Sequence, residues 1–276
     1  MPATVENLLQ KHDFGEVTRL LYDDPSLVAE LARLLETSKP DIQSAILNIL
    51  GRYGFDHPEN VYAYTGSIMK VLNSNPELKS EGACALANLV FNFRDKSAEI
   101  MPMLSGMLRE EDPFLREDSA YAIGNIGFKF PDLVEAELPV LVLMLDSEDG
   151  DEREAAAQAL GKIGINSPEL VKDVFPKLVE VLEHAKEASC GGILSAFGAF
   201  GFNYPEMVKE QIPKLMEYLK SRNPVAVKNA VMALGIIGMT SPELVEEAVP
   251  LLLELTGHPD REISLNAKVA VSRSNQ

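Results

Sequence analysis

The chain of 276 residues has no tryptophan, two cysteines and four histidines. Cys84 and Cys190 are far apart and give no C-x-x-C pair or zinc spacing. Both fall among small residues in expected helices, so they read as reduced core thiols of a cytoplasmic protein. His12, His57, His184 and His258 never recur four residues apart, and no H-E-x-x-H occurs, so no helical metal site is written here. His57 and His258 sit in expected turns and read as surface residues. Long apolar runs are missing too. The longest, Leu138 to Leu145, is far too short to span a bilayer, and the opening MPATVENLLQKHDFG has no signal pattern. These absences predict a cytoplasmic chain without membrane contact, catalytic residues, metal or cofactor.

Positive charge is in deficit. Lys plus Arg is 25 against 42 Asp plus Glu, a formal net charge of −17. Such a surface repels phosphate backbones and excludes nucleic acid as a default partner. It suits a basic protein segment and favours a soluble monomer. The carboxylates fall in turns and on solvent faces, without the pairing that acid–base chemistry requires.

What is present is repetition. IGNIGFKFPDLV, LGKIGINSPELV, FGAFGFNYPEMV and LGIIGMTSPELV begin at Ile123, Leu160, Phe197 and Leu234, each 37 residues after the last. Pro102, Pro139, Pro176, Pro213 and Pro250 keep the same step, as do Pro131, Pro168, Pro205 and Pro242. A fixed period of this length is the signature of a stacked repeat array, and irregular end copies are its caps.

Each copy reads as two helices. Helix A starts at the proline of PELV, with Ser167 and Ser241 placed as N-caps, and the second proline bends it mid-way. Helix B starts near Asn75, Asp112, Asp149, Lys186, Asn223 or Asp260. It ends at Gly54, Gly127, Gly164, Gly201 or Gly238, where a left-handed cap favours glycine. Gly51, Gly124, Gly161, Gly198 and Gly235 lie one turn earlier, inside helix B, where glycine is unfavourable. Their recurrence predicts close approach between neighbouring B helices. Phe55, Phe91, Phe128 and Phe202, in phase with Ile165 and Met239, read as a packing seam.

DPFLREDSAYAIGNIG from Asp112 and DEREAAAQALGKIG from Asp151 carry an acidic turn, an arginine, paired small residues and a Leu-Gly-x-Ile-Gly-like ending. They resemble HEAT repeats, an armadillo-type helical family, and more narrowly the HEAT-like repeats common in prokaryotic proteins. The resemblance implies an all-α fold, an α-α superhelix of about seven helix pairs. It covers residues 25–272 within a single solenoid domain, 1–276, with residues 1–24 as a helical cap. The family's basic position matches Lys79, Arg116 and Arg153, expected to tie neighbouring repeats through turn carboxylates such as Asp112 and Asp149; Cys190, Val227 and Ser264 break that series. Some HEAT proteins are di-iron hydroxylases with His-Glu pairs, but the four histidines here precede Asp, Pro, Ala and Pro. HEAT-like DNA glycosylases need a basic groove, which this chain lacks.

In HEAT solenoids the B helices line the concave side. The helical wheel turns two columns outward there. One holds Asn48, Cys84, Tyr121, Gln158, Ser195 and Met232; the other holds Arg52, Asn88, Asn125, Lys162, Ala199 and Ile236. The candidate partner-binding face is Arg52, Asn88, Tyr121, Asn125, Gln158, Lys162, Ser195, Met232 and Ile236. The expected function is a non-enzymatic protein–protein interaction scaffold whose partner is a basic or helical segment. The alternatives are a groove-sited enzyme or ligand-binding protein of the HEAT-like lyase or hydroxylase type, and an assembly module of a larger complex. The small-sided helix EASCGGILSAFGAFG from Glu187 is either a tight packing element or an apolar trough.

Overall fold

In a computed structural model, residues 4–185 and 190–274 are described. Their secondary structure is helical, with no strand among them. The chain divides into two compact units, residues 1–133 and 134–276, each described by itself.

The first unit opens with α1 (Val5–Gln10) and α2 (Phe14–Asp23). Three helix pairs follow. α3 (Leu27–Thr37) packs on α4 (Pro40–Asp56). The single turn α5 (Pro58–Val61) and α6 (Thr65–Ser74) pack on α7 (Lys79–Val90), and α8 (Arg94–Met107) on α9 (Pro113–Lys129). α4 stacks on α7 and α7 on α9, so the B helices form one layer. Leu35, Ile46, Leu50, Ile68, Leu72 and Leu86 are fully buried between the layers.

Four pairs make the second unit. α10 (Leu138–Met144) pairs with α11 (Gly150–Asn166). The turn α12 (Pro168–Val171) and α13 (Phe175–His184) precede α14 (Gly191–Asn203). The turn α15 (Pro205–Val208) and α16 (Ile212–Tyr218) precede α17 (Pro224–Thr240), and α18 (Val249–Leu255) pairs with α19 (Arg261–Ser274). α11, α14, α17 and α19 stack in order. Each unit is thus a stack of A–B helix pairs, an α-solenoid, with three pairs in one and four in the other.

The interior glycines do what their recurrence predicts. A methyl group on Gly51 would lie 2.9 Å from the Ala85 Cα, one on Gly161 2.7 Å from that of Ala196, and one on Gly198 3.0 Å from that of Ala233. B helices therefore meet backbone to backbone, glycine against the alanine of the next repeat.

Several local expectations are corrected. The later glycines are not left-handed caps, since no described glycine has a positive φ. α11 runs past Gly164 to Asn166 and α14 past Gly201 to Asn203. These glycines also serve packing: a methyl on Gly164 would lie 2.8 Å from Val171, and one on Gly201 would overlap Ile237. Helix B is ended instead by proline. Phe130, Ser167, Tyr204 and Ser241 follow α9, α11, α14 and α17 with φ of −131°, −140°, −134° and −146°. Each precedes a proline, which bars it from helical backbone.

Helix A breaks at its second proline rather than bending. A turn and a short 3-10 segment come first, and a new helix then starts with Pro139, Pro176, Pro213 or Pro250 in its first turn. There the missing N–H costs no hydrogen bond. In α8 alone, among the described helices, Pro102 lies inside an unbroken helix. Ser167 and Ser241 make no side-chain cap. The caps that do form on helix B are Asp112, Asp149 and Asn223, whose side chains accept from the N–H two residues on. Lys186 and Glu187 lie outside the described residues.

Two of the basic positions, Arg116 and Arg153, hold carbonyls of their own repeat. Arg116 donates to the carbonyls of Glu110 and Glu111 at 2.6 and 2.8 Å, and Arg153 to that of Ser147 at 2.5 Å. Five N–H donors on a planar fork suit such carbonyls at a loop end. His57 is half-buried with its ring 4.8 Å from Tyr53, not a free surface residue.

Candidate functional site: the outward face of the B helices

Residues at i, i+4 and i+7 share one stripe of a helix. Tyr121, Asn125 and Phe128 form such a stripe on α9, and Met232, Ile236 and Met239 form another on α17. The aromatic column therefore belongs to the candidate face. Its rings pack helix to helix in the first unit, but at the surface rather than in the core. Phe55 is 57% exposed, and Phe202 and Met239 are exposed as well. In the first unit the rings make a ladder, with Phe55–Phe91 and Phe91–Phe128 centroids both 6.1 Å apart. The Lys129 Nζ sits 5.0 Å from the Phe91 centroid, so the rungs present faces that accept a cation. The i+7 spacing from the outward columns was the signal that marked these positions.

In the first unit Arg52 is exposed, Tyr121 is exposed, and Asn88 and Asn125 are half-buried. Arg52 and Asn48 line an open depression of about 420 Å³ with Phe14, Thr18, Asp41 and Ser44, between α2 and α4. Asn48 Nδ2 donates to the Ser44 carbonyl at 3.1 Å. Cys84 is half-buried, 3.5 Å from an Asp118 carboxylate oxygen.

In the second unit Gln158 and Lys162 are half-buried, Ser195 and Met232 are exposed, and Ile236 is half-buried. Ala199, expected on the face, is only 3% exposed, because α14 is packed tightly on both sides. Met232, Ile236, Val269 and Arg273 line a shallow groove of about 230 Å³ between α17 and α19. Val225, Met232, Met239, Leu265 and Val269 are all exposed around it. Tyr121 and Asn125 belong to one unit and Gln158 and Lys162 to the other; within each pair the two side chains share a face of their own helix.

Gly191 and Gly192 open no trough. Both are buried, and a methyl on Gly192 would overlap the Glu154 carbonyl. The pair lets α11 reach the start of α14, where the Gly192 N–H donates to Glu154 Oε1 at 3.2 Å. Burial pushes the Glu154 carboxyl up from its ordinary range, against the pull of the Gly192 N–H, and the Asp151 charge pushes the same way. Its contribution to stability is therefore lost as pH rises from the ordinary carboxylate range through the raised value. Glu154→Gln keeps an acceptor and removes the charge. The variant is expected to melt above wild type at pH 7 and level with it near pH 4, in parallel thermal melts. Equal melting at both pH values would contradict the assignment.

Among the described residues, no three His, Cys, Asp or Glu side chains gather to hold a metal ion. No helix among the described residues is long and apolar enough to cross a membrane.

Residues 67–161 match the family model of HEAT repeats, and residues 152–184 match that of the PBS lyase HEAT-like repeat. Residues 67–184 therefore carry HEAT-type repeats. The HEAT array is similar to an engineered protein solved as a structural-genomics target, with a TM-score of 0.55 and 20% identity over 95% of this chain and 71% of that one. It is also similar to a designed armadillo repeat protein, with a TM-score of 0.50 and 20% identity over 89% of this chain and 99% of that one. At that identity the likeness is one of HEAT and armadillo fold alone. No curated protein matches the sequence.

Proposed function

We propose that this HEAT array is a non-enzymatic protein-interaction scaffold that takes its partner on the exposed stripes of its B helices. The observation that carries the reading is the α17 stripe. Met232 is 43% exposed and Met239 48%, Ile236 lies between them, and a groove runs alongside to Val269. Surface apolar residues scattered singly need no explanation, but an aligned stripe beside a groove is what a partner helix or apolar segment covers. Methionine supplies flexible, polarizable contact there. The net charge of −17 repels nucleic acid and steers a basic partner.

The test is a cross-linked pull-down from source lysate, with wild type run beside the variant Tyr121→Ala, Asn125→Ala, Met232→Glu, Ile236→Glu, after circular dichroism shows the variant helical. A protein held by wild type and lost by the variant supports the reading. Equal capture by both moves the binding surface elsewhere. Exposed Leu265 and Val269 on α19 favour one second reading, an assembly module that meets its complex through the last repeat. In that case Leu265→Lys alone would abolish capture.

A further inference from the structure

We propose that the last turns of the B helices in residues 134–276 form a docking edge for a basic amphipathic helix of a partner protein. This rests on the scaffold reading and adds the chemistry of the partner. Ile165, Phe202 and Met239 stand at the ends of α11, α14 and α17, exposed by 37%, 38% and 48%. Asn203 Nδ2 donates to the Gly164 and Ile165 carbonyls at 3.1 and 3.2 Å, which holds the turn carrying Phe202 against the turn carrying Ile165.

Carboxylates follow each rung at a fixed offset. Four residues on come Glu169, Glu206 and Glu243, and four further come Asp173, Glu210 and Glu247; all six are exposed. The apolar row is thus accompanied by two acidic rows of the same period. Cations answer them weakly. Lys172 lies 3.9 Å from Glu169 and Lys209 3.8 Å from Glu206, long exposed pairs that contribute little. The Tyr204 hydroxyl also donates to Glu169, at 2.5 Å. In the next repeat the lysine position is Glu246. Compensation of helix dipoles accounts for a carboxylate at each helix start. It does not account for an exposed apolar row kept beside them.

An occupant must cover apolar side chains and bring cations to the flanking carboxylates. Nucleic acid and anionic lipid fail the second requirement. A helix with apolar residues at i, i+3, i+4 and i+7 and Lys or Arg on the adjacent flank meets both.

The probe is a fluorescein-labelled helix-forming peptide of about 18 residues, long enough to be helical alone. It carries leucine at that spacing and lysine on the flank, and its twin carries glutamate for lysine. Anisotropy is read with the full-length chain at near-physiological salt. Wild type is expected to bind the lysine peptide and not the twin. Phe202→Gln with Met239→Gln, both exposed sites, should weaken binding about tenfold. Glu206→Gln, Glu243→Gln and Glu247→Gln together should weaken it and flatten its salt dependence. Equal binding to wild type and the Phe202/Met239 variant would reduce the effect to diffuse attraction and overturn the proposal. So would binding of the twin, or no binding of the lysine peptide. Any of these failures leaves partner capture through Met232 and Ile236 standing, whereas loss of that capture effect sinks the broader reading.

Discussion

Gly161→Val is expected to destabilise residues 134–276 by about 3 kcal/mol or more, near the upper end of the cost of overpacking. A methyl at Gly161 would already lie 2.7 Å from the Ala196 Cα, 3.1 Å from its Cβ and 3.3 Å from its N. The obstacle is largely backbone, which cannot rotate aside as a side-chain tip can, so α11 and α14 must separate. That separation strips contacts along both helices. The control is built into the fold. Gly66 and Gly106 are helical with open space where a Cβ would go. Alanine at either should stabilise by about 0.4–1 kcal/mol, because it lowers the entropy of the unfolded chain. Thermal melts of the three variants separate the cases. A tolerated Gly161→Val would mean that the B helices do not meet where the period places them.

Phe197→Ala should cost about 3–5 kcal/mol, the range for a buried aromatic truncated to alanine. Phe197 is fully buried in α14, with its ring centroid 5.5 Å from that of Phe175 on the preceding A helix, edge to face. α14 also carries Gly191, Gly192, Gly198 and Gly201, so its intrinsic helix propensity is poor. Packing, not propensity, holds it. Phe202 is the internal comparison, on the same helix five residues later but 38% exposed. Phe202→Ala should stay within about 1 kcal/mol of wild type, as surface changes do. Chemical unfolding monitored by far-UV circular dichroism reads both. Similar losses for the two would contradict the division into buried and outward faces.

The period of 37 was enough to place the helix pairs and both glycine series from residue 123 on, because a repeat that buries its face only against its neighbours must keep one register; the first pair departs from it, Leu50 and Leu86 being 36 apart. What escaped was local backbone choice. Gly164 and Gly201 look like helix ends by type, yet the residue before the next proline sets the end. The second proline of helix A looked like a bend, because spacing does not reveal that a helix can restart there at no hydrogen-bond cost. The outward residues Tyr121, Met232 and Ile236 were legible from the wheel. Phe55 and Phe202 were read as a seam because apolar character usually means burial. Only their i+7 relation to those residues placed that seam at the surface. Ala199 failed for the opposite reason: its stripe faces out, but close packing around α14 covers a side chain that small.

The central claim is that the B-helix stripe, and not another exposed apolar site, meets the partner. Photo-cross-linking tests it most directly. A benzophenone side chain is placed at Met232 in one sample and at Leu143 in another, the latter 69% exposed on the A helix α10. Irradiation in lysate is predicted to give one discrete adduct from position 232 and none from position 143. An adduct from 143 with none from 232 would contradict the account.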